Sequence, residues 1–290
     1  MTTATRDSCS DEPGAGARSG AYGLAITGIA DPGWLTAAPG SWALWQLTVE
    51  RGERPPGFAE SLGPDSAELV SEPRGLVRLS RDEGRAVLRF PEPLVSAGVA
   101  HPYLSSLAVV TSWWAGGVSF HAGSFVLDGG VWGVLGDRER GKSTLLAWLA
   151  RAGVGVFSDD IVVLEGGRAL AGPRCLDLRE SAAREFGIGE DLGVVGTRQR
   201  WRVPLDPVPP ELPFRGWVSL EWTDEITLTT VPASRRLAVL AECRGLRVPQ
   251  VGGVPWLDAL AKPMIAFGRP HDWAEADRAA LGLLDRLSSL

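Results

Sequence analysis

Residues 131–150 read VWGVLGDRERGKSTLLAWLA, and this stretch decides the fold expected for the 290-residue chain. Residues 131–135 form a continuous apolar run of strand length, and the apolar residues after Lys142 lie on one face of a helix. Between them stands Gly-x-x-x-x-Gly-Lys-Ser, the pattern of a phosphate-binding loop. We therefore predict a buried strand, a phosphate loop and a helix in succession.

Each part of this loop has a physical reason to hold a nucleoside triphosphate. Glycines at both ends let the backbone curl around an anion, and the helix N-terminus directs N–H groups at it. Lys142 would reach the β and γ phosphates, and the Ser143 hydroxyl would bind Mg²⁺. The predicted ATP-binding residues are Gly136, Asp137, Arg138, Glu139, Arg140, Gly141, Lys142, Ser143 and Thr144.

An acidic pair, Asp159 and Asp160, follows the short apolar run of residues 154–157. Ligands bind where the strands of an α/β sheet end, so these carboxylates are expected to face the phosphates. One could accept a proton from an attacking hydroxyl and the other could bind Mg²⁺. Adjacent strand residues point to opposite faces, so both can serve only if the strand ends or bends there. The alternative is an acidic turn between strands.

The chain has three histidines. His121 lies one strand before the phosphate-loop strand, and such a histidine is either a packed core residue or a member of the site. His101 and His271 adjoin prolines in expected loops, and we interpret both as structural.

A histidine-containing strand, a hairpin, Gly-Asp-x-x-x-x-Gly-Lys-Ser-Thr, a helix and Asp-Asp follow in that order. This arrangement, over about residues 115–200, resembles the catalytic domain of the HPr kinase/phosphorylase family. Bacterial relatives of that family include kinases that tailor ribosomally made peptides such as lasso peptides. The resemblance implies that Asp159 is the catalytic base, that Asp160 lies near the metal, and that His121 and Lys142 assist at the γ-phosphate.

In that family an acidic residue follows in a Glu-Ile-Arg type strand, and residues 175–179 are the nearest counterpart. Asp177 stands in place of the longer glutamate, and the resemblance implies that it binds the metal. The segment after Arg179 departs from the family's glycine-rich signature, and residues 22–93 match no family known to us. We therefore do not expect HPr itself to be the substrate.

The expected fold is α+β with an α/β-like core. Residues 99–290 would form an HPr kinase-type P-loop domain with a mixed sheet, and residues 21–98 a small, mainly antiparallel β domain. Residues 1–20 lack apolar periodicity and are predicted to be a disordered tail. We further predict one strand over residues 118–127 and a glycine-rich loop over residues 187–196. The basic residues 198–202 would either bind an acidic substrate or a phosphate, or form a solvated face.

Composition narrows the classes of function. A net charge of −6 argues against a nucleic-acid partner, and no segment has the apolar length of a membrane span. Cys9, Cys175 and Cys243 are too few and too widely spaced for a disulfide framework or a zinc site. We expect a cytoplasmic protein.

The leading hypothesis is an ATP- and Mg²⁺-dependent kinase that acts on a hydroxyl, such as serine, of a peptide or protein. One alternative is a nucleotide-binding regulatory or scaffold protein without activity, and another is an NTPase that hydrolyses ATP to drive motion. The resemblance also implies a homo-oligomer.

Overall fold

The computed structural model describes residues 18–30, 33–92, 94, 98–245 and 253–290. The strands are β1 Ser19–Ala21, β2 Leu24–Thr27, β3 Thr36–Ala37, β4 Ala43–Arg51, β5 Ser61–Leu62, β6 Ser66–Ser71, β7 Gly75–Ser80, β8 Arg85–Phe90, β9 Val118–Phe120, β10 Gly123–Leu127, β11 Gly130–Leu135, β12 Val156–Ser158, β13 Val162–Glu165, β14 Arg168–Leu170, β15 Cys175–Leu178, β16 Glu190–Val195, β17 Arg198–Pro204, β18 Glu211–Trp222, β19 Thr227–Thr230 and β20 Met264–Arg269. The α-helices are α1 Leu104–Trp114, α2 Lys142–Arg151, α3 Glu180–Phe186, α4 Ala233–Glu242, α5 Val254–Ala261 and α6 Ala276–Ser288.

The first eight strands form one sheet in the order β3-β1-β2-β4-β8-β7-β6-β5. Its neighbours are antiparallel except that β4 runs parallel to both β2 and β8. Strand β1 begins at Ser19, inside the predicted tail, whose residues 1–17 lie outside the described residues. Alternate residues of β8 are buried in the same core as α1, whose Leu104, Leu107 and Ala108 recur at helical spacing. This core contains residues from both sides of position 98, the boundary expected between the two domains. The division into two domains therefore stays a prediction.

The second sheet has nine strands and is mixed. Strand β11 lies between β10, which is antiparallel to it, and β18, which is parallel. Val131 and Leu135 pack on one side with α4 and α5, whereas Trp132 and Val134 pack on the other with α2 and α6. Helices therefore cover both faces of β11, which explains its continuous apolar sequence.

The prediction of one strand over residues 118–127 is wrong. The chain divides into β9, which pairs with β13, and β10, which pairs with β11 and β12. Between them, the His121 N–H donates to the Cys243 carbonyl and the Ala122 N–H to the Asp160 carbonyl. These two bonds divert the backbone from a continuous ladder and place His121 beside the acidic pair.

A small third sheet has the order β15-β17-β16. The predicted loop over residues 187–196 is wrong in its second half, because residues 190–195 form β16 in a hairpin with β17. The Gln199 side-chain amide donates to Asp191 across this hairpin. In the part of the chain that the structure describes, no helix is both long and apolar enough to cross a membrane.

Candidate functional site

The phosphate loop joins β11 to α2. Gly141 is the N-cap of α2 and has φ of +78°, and a Cβ atom there would come within 2.7 Å of Arg269 Nη2. Glycine alone meets both conditions without strain. The first turn of α2 carries no acidic side chain, and Arg151 lies in its last turn. The positive end of the helix dipole is thus available to an anion.

Lys142, the first residue of α2, points back over the loop. Its Nζ donates to the carbonyl oxygens of Gly136, at 2.6 Å, and Asp137, at 3.2 Å. Burial lowers the pKa of this ammonium, and the carboxylates of Asp159 and Asp160 partly oppose that shift. The Lys142 ammonium therefore lies where it could contact phosphates bound by the loop.

Ser143 and Asp159 are in direct contact. The serine Oγ donates to the two carboxylate oxygens at 3.1 Å and 3.3 Å. Asp159 is buried and comes directly after β12 ends at Ser158, so the strand end predicted from sequence is where the carboxylate lies. A hydroxyl at a helix N-terminus beside a carboxylate provides oxygen ligands of the kind Mg²⁺ prefers.

Asp160 turns away from the strand, with φ of +76°, and its carboxylate lies 3.6 Å from His121 Nδ1. This backbone turn allows consecutive acids to reach one cavity. Burial alone would raise the pKa of Asp160, but His101 and His121 hold it below its ordinary value. The carboxylate is therefore ionised at neutral pH. Its side chain is 29% exposed to solvent.

His101 is a residue of the site that the sequence interpretation missed. It is buried, and its Nε2 lies 3.6 Å from an Asp177 oxygen and 3.9 Å from an Asp159 oxygen. Its carbonyl accepts from the Arg202 guanidinium at 2.7 Å. Because His101 precedes Asp159 by more than fifty residues, no local spacing indicates this contact.

Asp177 lies at the centre of a buried charge cluster. Its carboxylate accepts from Arg202 at 2.8 Å and 3.0 Å and from Arg200 at 3.1 Å. Burial would raise the pKa of Asp177, but His101, Arg202 and Arg200 hold it below the ordinary value. These contacts favour a structural role over the metal-binding role that the resemblance implies.

The basic run of residues 198–202 divides by strand alternation. Arg198, Arg200 and Arg202 share one face of β17. The inner two neutralise Asp177, whereas Arg198 lines the cavity next to the phosphate loop. Arg200 and Arg202 bind a carboxylate inside the protein. Neither of the two predictions, a site for an acidic substrate or phosphate and a solvated face, therefore describes the whole run.

The N-terminal sheet contributes Tyr22, which lies between β1 and β2, to the site. The buried Tyr22 hydroxyl donates to the Asp159 carbonyl at 3.0 Å, and the Tyr22 N–H donates to the Ala171 carbonyl at 2.6 Å. Burial raises the pKa of Tyr22, and the nearby Asp160 and Asp159 carboxylates add to the shift, so the phenol stays protonated. Tyr22 thereby fixes the backbone of the acidic pair.

A cavity of about 1060 Å³ connects these groups. Residues 137–144, His121 and the three aspartates predicted for the site all line it. Gly136 contributes its carbonyl to Lys142 instead. Trp222, Arg269 and the residues around Trp273 also line this cavity, and the sequence interpretation left them out of the site.

The donor set can be compared with the needs of a metal ion. Among the described residues, no group of three or more His, Cys, Asp or Glu side chains is arranged to hold one. Mg²⁺ is commonly bound by only one or two carboxylates together with phosphate oxygens. Ser143, Asp159 and Asp160 fit that requirement, and they could hold Mg²⁺ jointly with a nucleotide.

No protein-family model matches the chain, and no curated protein matches it. Among solved structures it is similar to the HPr(Ser) kinase/phosphatase from Coxiella burnetii, at 13% identity and a TM-score of 0.28. That match covers 59% of this chain and 97% of the other. These values describe a distant structural relationship.

Proposed function

We propose that this protein is an ATP- and Mg²⁺-dependent phosphotransferase that moves the γ-phosphate to a hydroxyl group. The observation that carries the proposal is the contact of Ser143 with Asp159 at the N-terminus of α2. It joins a phosphate-binding loop to a carboxylate, and a second carboxylate, Asp160, lies in the same cavity. Phosphoryl transfer requires chiefly positioning and charge neutralisation, which these groups can supply.

The loop and Lys142 would bind the phosphates. Backbone N–H groups of residues 137–144 and the α2 dipole would hold the β and γ phosphates, and the Lys142 ammonium would exchange its loop carbonyls for phosphate oxygens. Bound Mg²⁺ would neutralise charge on those oxygens. Ser143 would hold that ion through its hydroxyl oxygen while its proton stays directed at Asp159.

The contacts of the two carboxylates support a division of their roles. Asp159 is bonded to Ser143 and lies near His101, so we assign it to the metal side of the site. Asp160 is more exposed and contacts His121, so we assign it to the acceptor side, where it would receive the hydroxyl proton. This is the reverse of the assignment that the resemblance implies, in which Asp159 is the base.

The acceptor we propose is a serine of a peptide or protein, in a setting such as peptide natural-product tailoring. This part rests on the motif resemblance of residues 115–200. We also propose that the protein is cytoplasmic and, by the same resemblance, that it forms a homo-oligomer.

The test is transfer of label from γ-labelled ATP to serine-containing peptides, with Mg²⁺ varied. We expect Asp160→Asn to reduce transfer by about a hundredfold at saturating Mg²⁺, the lower range for losing a general base. Asp159→Asn should raise the Mg²⁺ concentration needed for half-maximal transfer. Lys142→Ala should weaken ATP binding itself, and Asp258→Asn, on the exposed face of α5, serves as the control.

The opposite pattern, with the proton-transfer defect in Asp159→Asn, would restore the assignment implied by the resemblance. If ATP binds and is lost only in Lys142→Ala, while label leaves ATP in no variant, the protein is a nucleotide-binding regulator. Label released to water, without stimulation by any peptide, would instead indicate an NTPase.

A further inference from the structure

One wall of the cavity is aromatic. Trp222 ends β18, and His271 and Trp273 lie between β20 and α6. The Trp222 and His271 ring centroids are 4.5 Å apart, and Trp273 meets the edge of Phe186 at 5.5 Å. Trp273 remains 42% exposed although it lines a concave site. Exposed aromatic surface in a cleft is typical of ligand binding.

This wall is tied to the phosphate loop by two hydrogen bonds. Trp222 Nε1 donates to the Glu139 carbonyl at 3.4 Å, and Arg269 Nη2 donates to the Arg140 carbonyl at 2.7 Å. The Arg269 guanidinium also lies over the Trp222 ring, 4.3 Å from its centroid. A ligand held by the loop therefore has the aromatic wall at a fixed position beside it.

The residues of this wall differ in what they offer a ligand. Arg269 is buried, covers Trp222 and supports it. His271 and Trp273 are exposed to the cavity and present free ring surface. Alanines at positions 276, 279 and 280 also line the cavity, and their side chains are small.

Charge determines which end of a nucleotide this wall can take. Asp272 and Glu275 line the cavity together with the aromatic rings, and Glu275 is paired with Arg278, whereas Lys142 and the α2 dipole lie at the phosphate loop. Carboxylates repel phosphate, so an uncharged group suits the aromatic end. The cavity volume of about 1060 Å³ lies at the upper end of the range usual for small-molecule sites, which leaves room for more than a phosphate chain.

We infer that His271 and Trp273 form a stacking site for the base of a nucleoside triphosphate, supported by Trp222 and Arg269. The inference rests on the proposed function, because the phosphate loop must hold the triphosphate. Aromatic rings stack on any nucleobase, so the site distinguishes nucleotides from bare polyphosphate more than one base from another.

Calorimetric titration of the full chain with Mg²⁺-ATP and with Mg²⁺-tripolyphosphate tests this inference. We expect Trp273→Ala to weaken ATP binding about tenfold, the usual value of stacking one base on a ring. Tripolyphosphate binding should stay unchanged, and Trp273→Phe should retain most of the ATP affinity. His271→Ala should act in the same direction, and Leu281→Ala, exposed on α6, is the matched control.

Equal loss of both ligands in Trp273→Ala would overturn the base site, because it would show an indirect effect on the phosphate loop. Unchanged ATP affinity in both Trp273→Ala and His271→Ala would also overturn the base site. In that case, binding of tripolyphosphate by the wild type would still support the proposed phosphate site. A wild-type protein that binds neither ligand would overturn the proposed function and this inference together.

Discussion

Asp177 lies fully buried between His101, Arg200 and Arg202, and both arginines donate to its carboxylate. At the scale of single residues, these partners decide what the acid can do. A carboxylate already shared by two guanidinium groups has few lone pairs left for a metal ion. Its present contribution is to bind two buried arginines and offset part of their positive charge.

Asp177→Asn should destabilise the protein by about 3–5 kcal/mol, because it leaves buried arginines without their counter-charge. The folded-state pKa of Asp177 lies below its ordinary value of 3.8, so its stabilisation is complete above that pH. It is lost as pH falls through the lower, folded-state pKa. Urea unfolding at neutral pH and near pH 3 should therefore show the wild type and the variant converging in acid. Asp191→Asn, in an exposed contact with Gln199, should change stability by less than about 1 kcal/mol. A neutral effect of Asp177→Asn would instead show that the arginines reach solvent.

Some residues of the site could be predicted from sequence and others could not. Asp159 and Asp160 follow an apolar run, so their position at a strand end is a local property. His101 and Tyr22 both reach Asp159 from distant segments, His101 from an extended position just before α1 and Tyr22 from the N-terminal sheet. Such contacts depend on how elements pack, and no spacing along the chain encodes them.

At the scale of elements, some strands and helices could likewise be predicted from local sequence, whereas others depend on contacts between distant segments. Strand β11, its loop and α2 could be predicted because strand, glycine and helix signals stand next to each other. Strand β20 pairs in parallel with β18 and has a short apolar sequence, which periodicity alone cannot assign to strand or helix. The division of residues 118–127 into β9 and β10 depends on hydrogen bonds that His121 and Ala122 donate to the carbonyl oxygens of Cys243 and Asp160.

Gly141→Ala tests the loop as a unit. The new methyl group would require a left-handed backbone and would meet Arg269, which also bonds to Arg140. We expect ATP affinity to fall by about tenfold or more, together with a stability loss of about 1–2 kcal/mol. Gly129→Ala is the matched control, since φ is +70° there and no atom lies within 4 Å of the added Cβ.

Gly129→Ala should share the stability loss and leave ATP affinity unchanged in the same calorimetric titration. Equal ATP affinity in the two variants would show that close packing of Gly141 against Arg269 has no part in binding phosphate.

At the scale of the whole molecule, the N-terminal sheet is hydrogen-bonded to a residue of the proposed phosphate site. Tyr22 lies between β1 and β2 and supports the backbone of Asp159. The part of the chain that resembles no known family therefore contributes to the geometry of the acidic pair. Removing it should affect catalysis as well as stability.

Tyr22→Phe should cost about 1 kcal/mol of stability, the usual value of one hydrogen bond. We expect kcat for phosphate transfer to fall about tenfold while the Kd for ATP stays constant, because small misplacements of a catalytic group slow the reaction. Tyr103→Phe is the matched control, since that hydroxyl donates to the Glu72 carbonyl. If both variants lose only stability, Tyr22 does not position Asp159.

The alternation of arginines along β17 also bears on how the small sheet reaches its pairing during folding. Asp177 lies opposite Arg202 in the ladder between β15 and β17. A slip of one residue would turn all three arginines to the other face and leave Asp177 buried without a counter-charge. Burying an unpaired carboxylate costs free energy, so a hairpin in the shifted register would be less stable than the native one. The charge cluster therefore favours the native register of the small sheet.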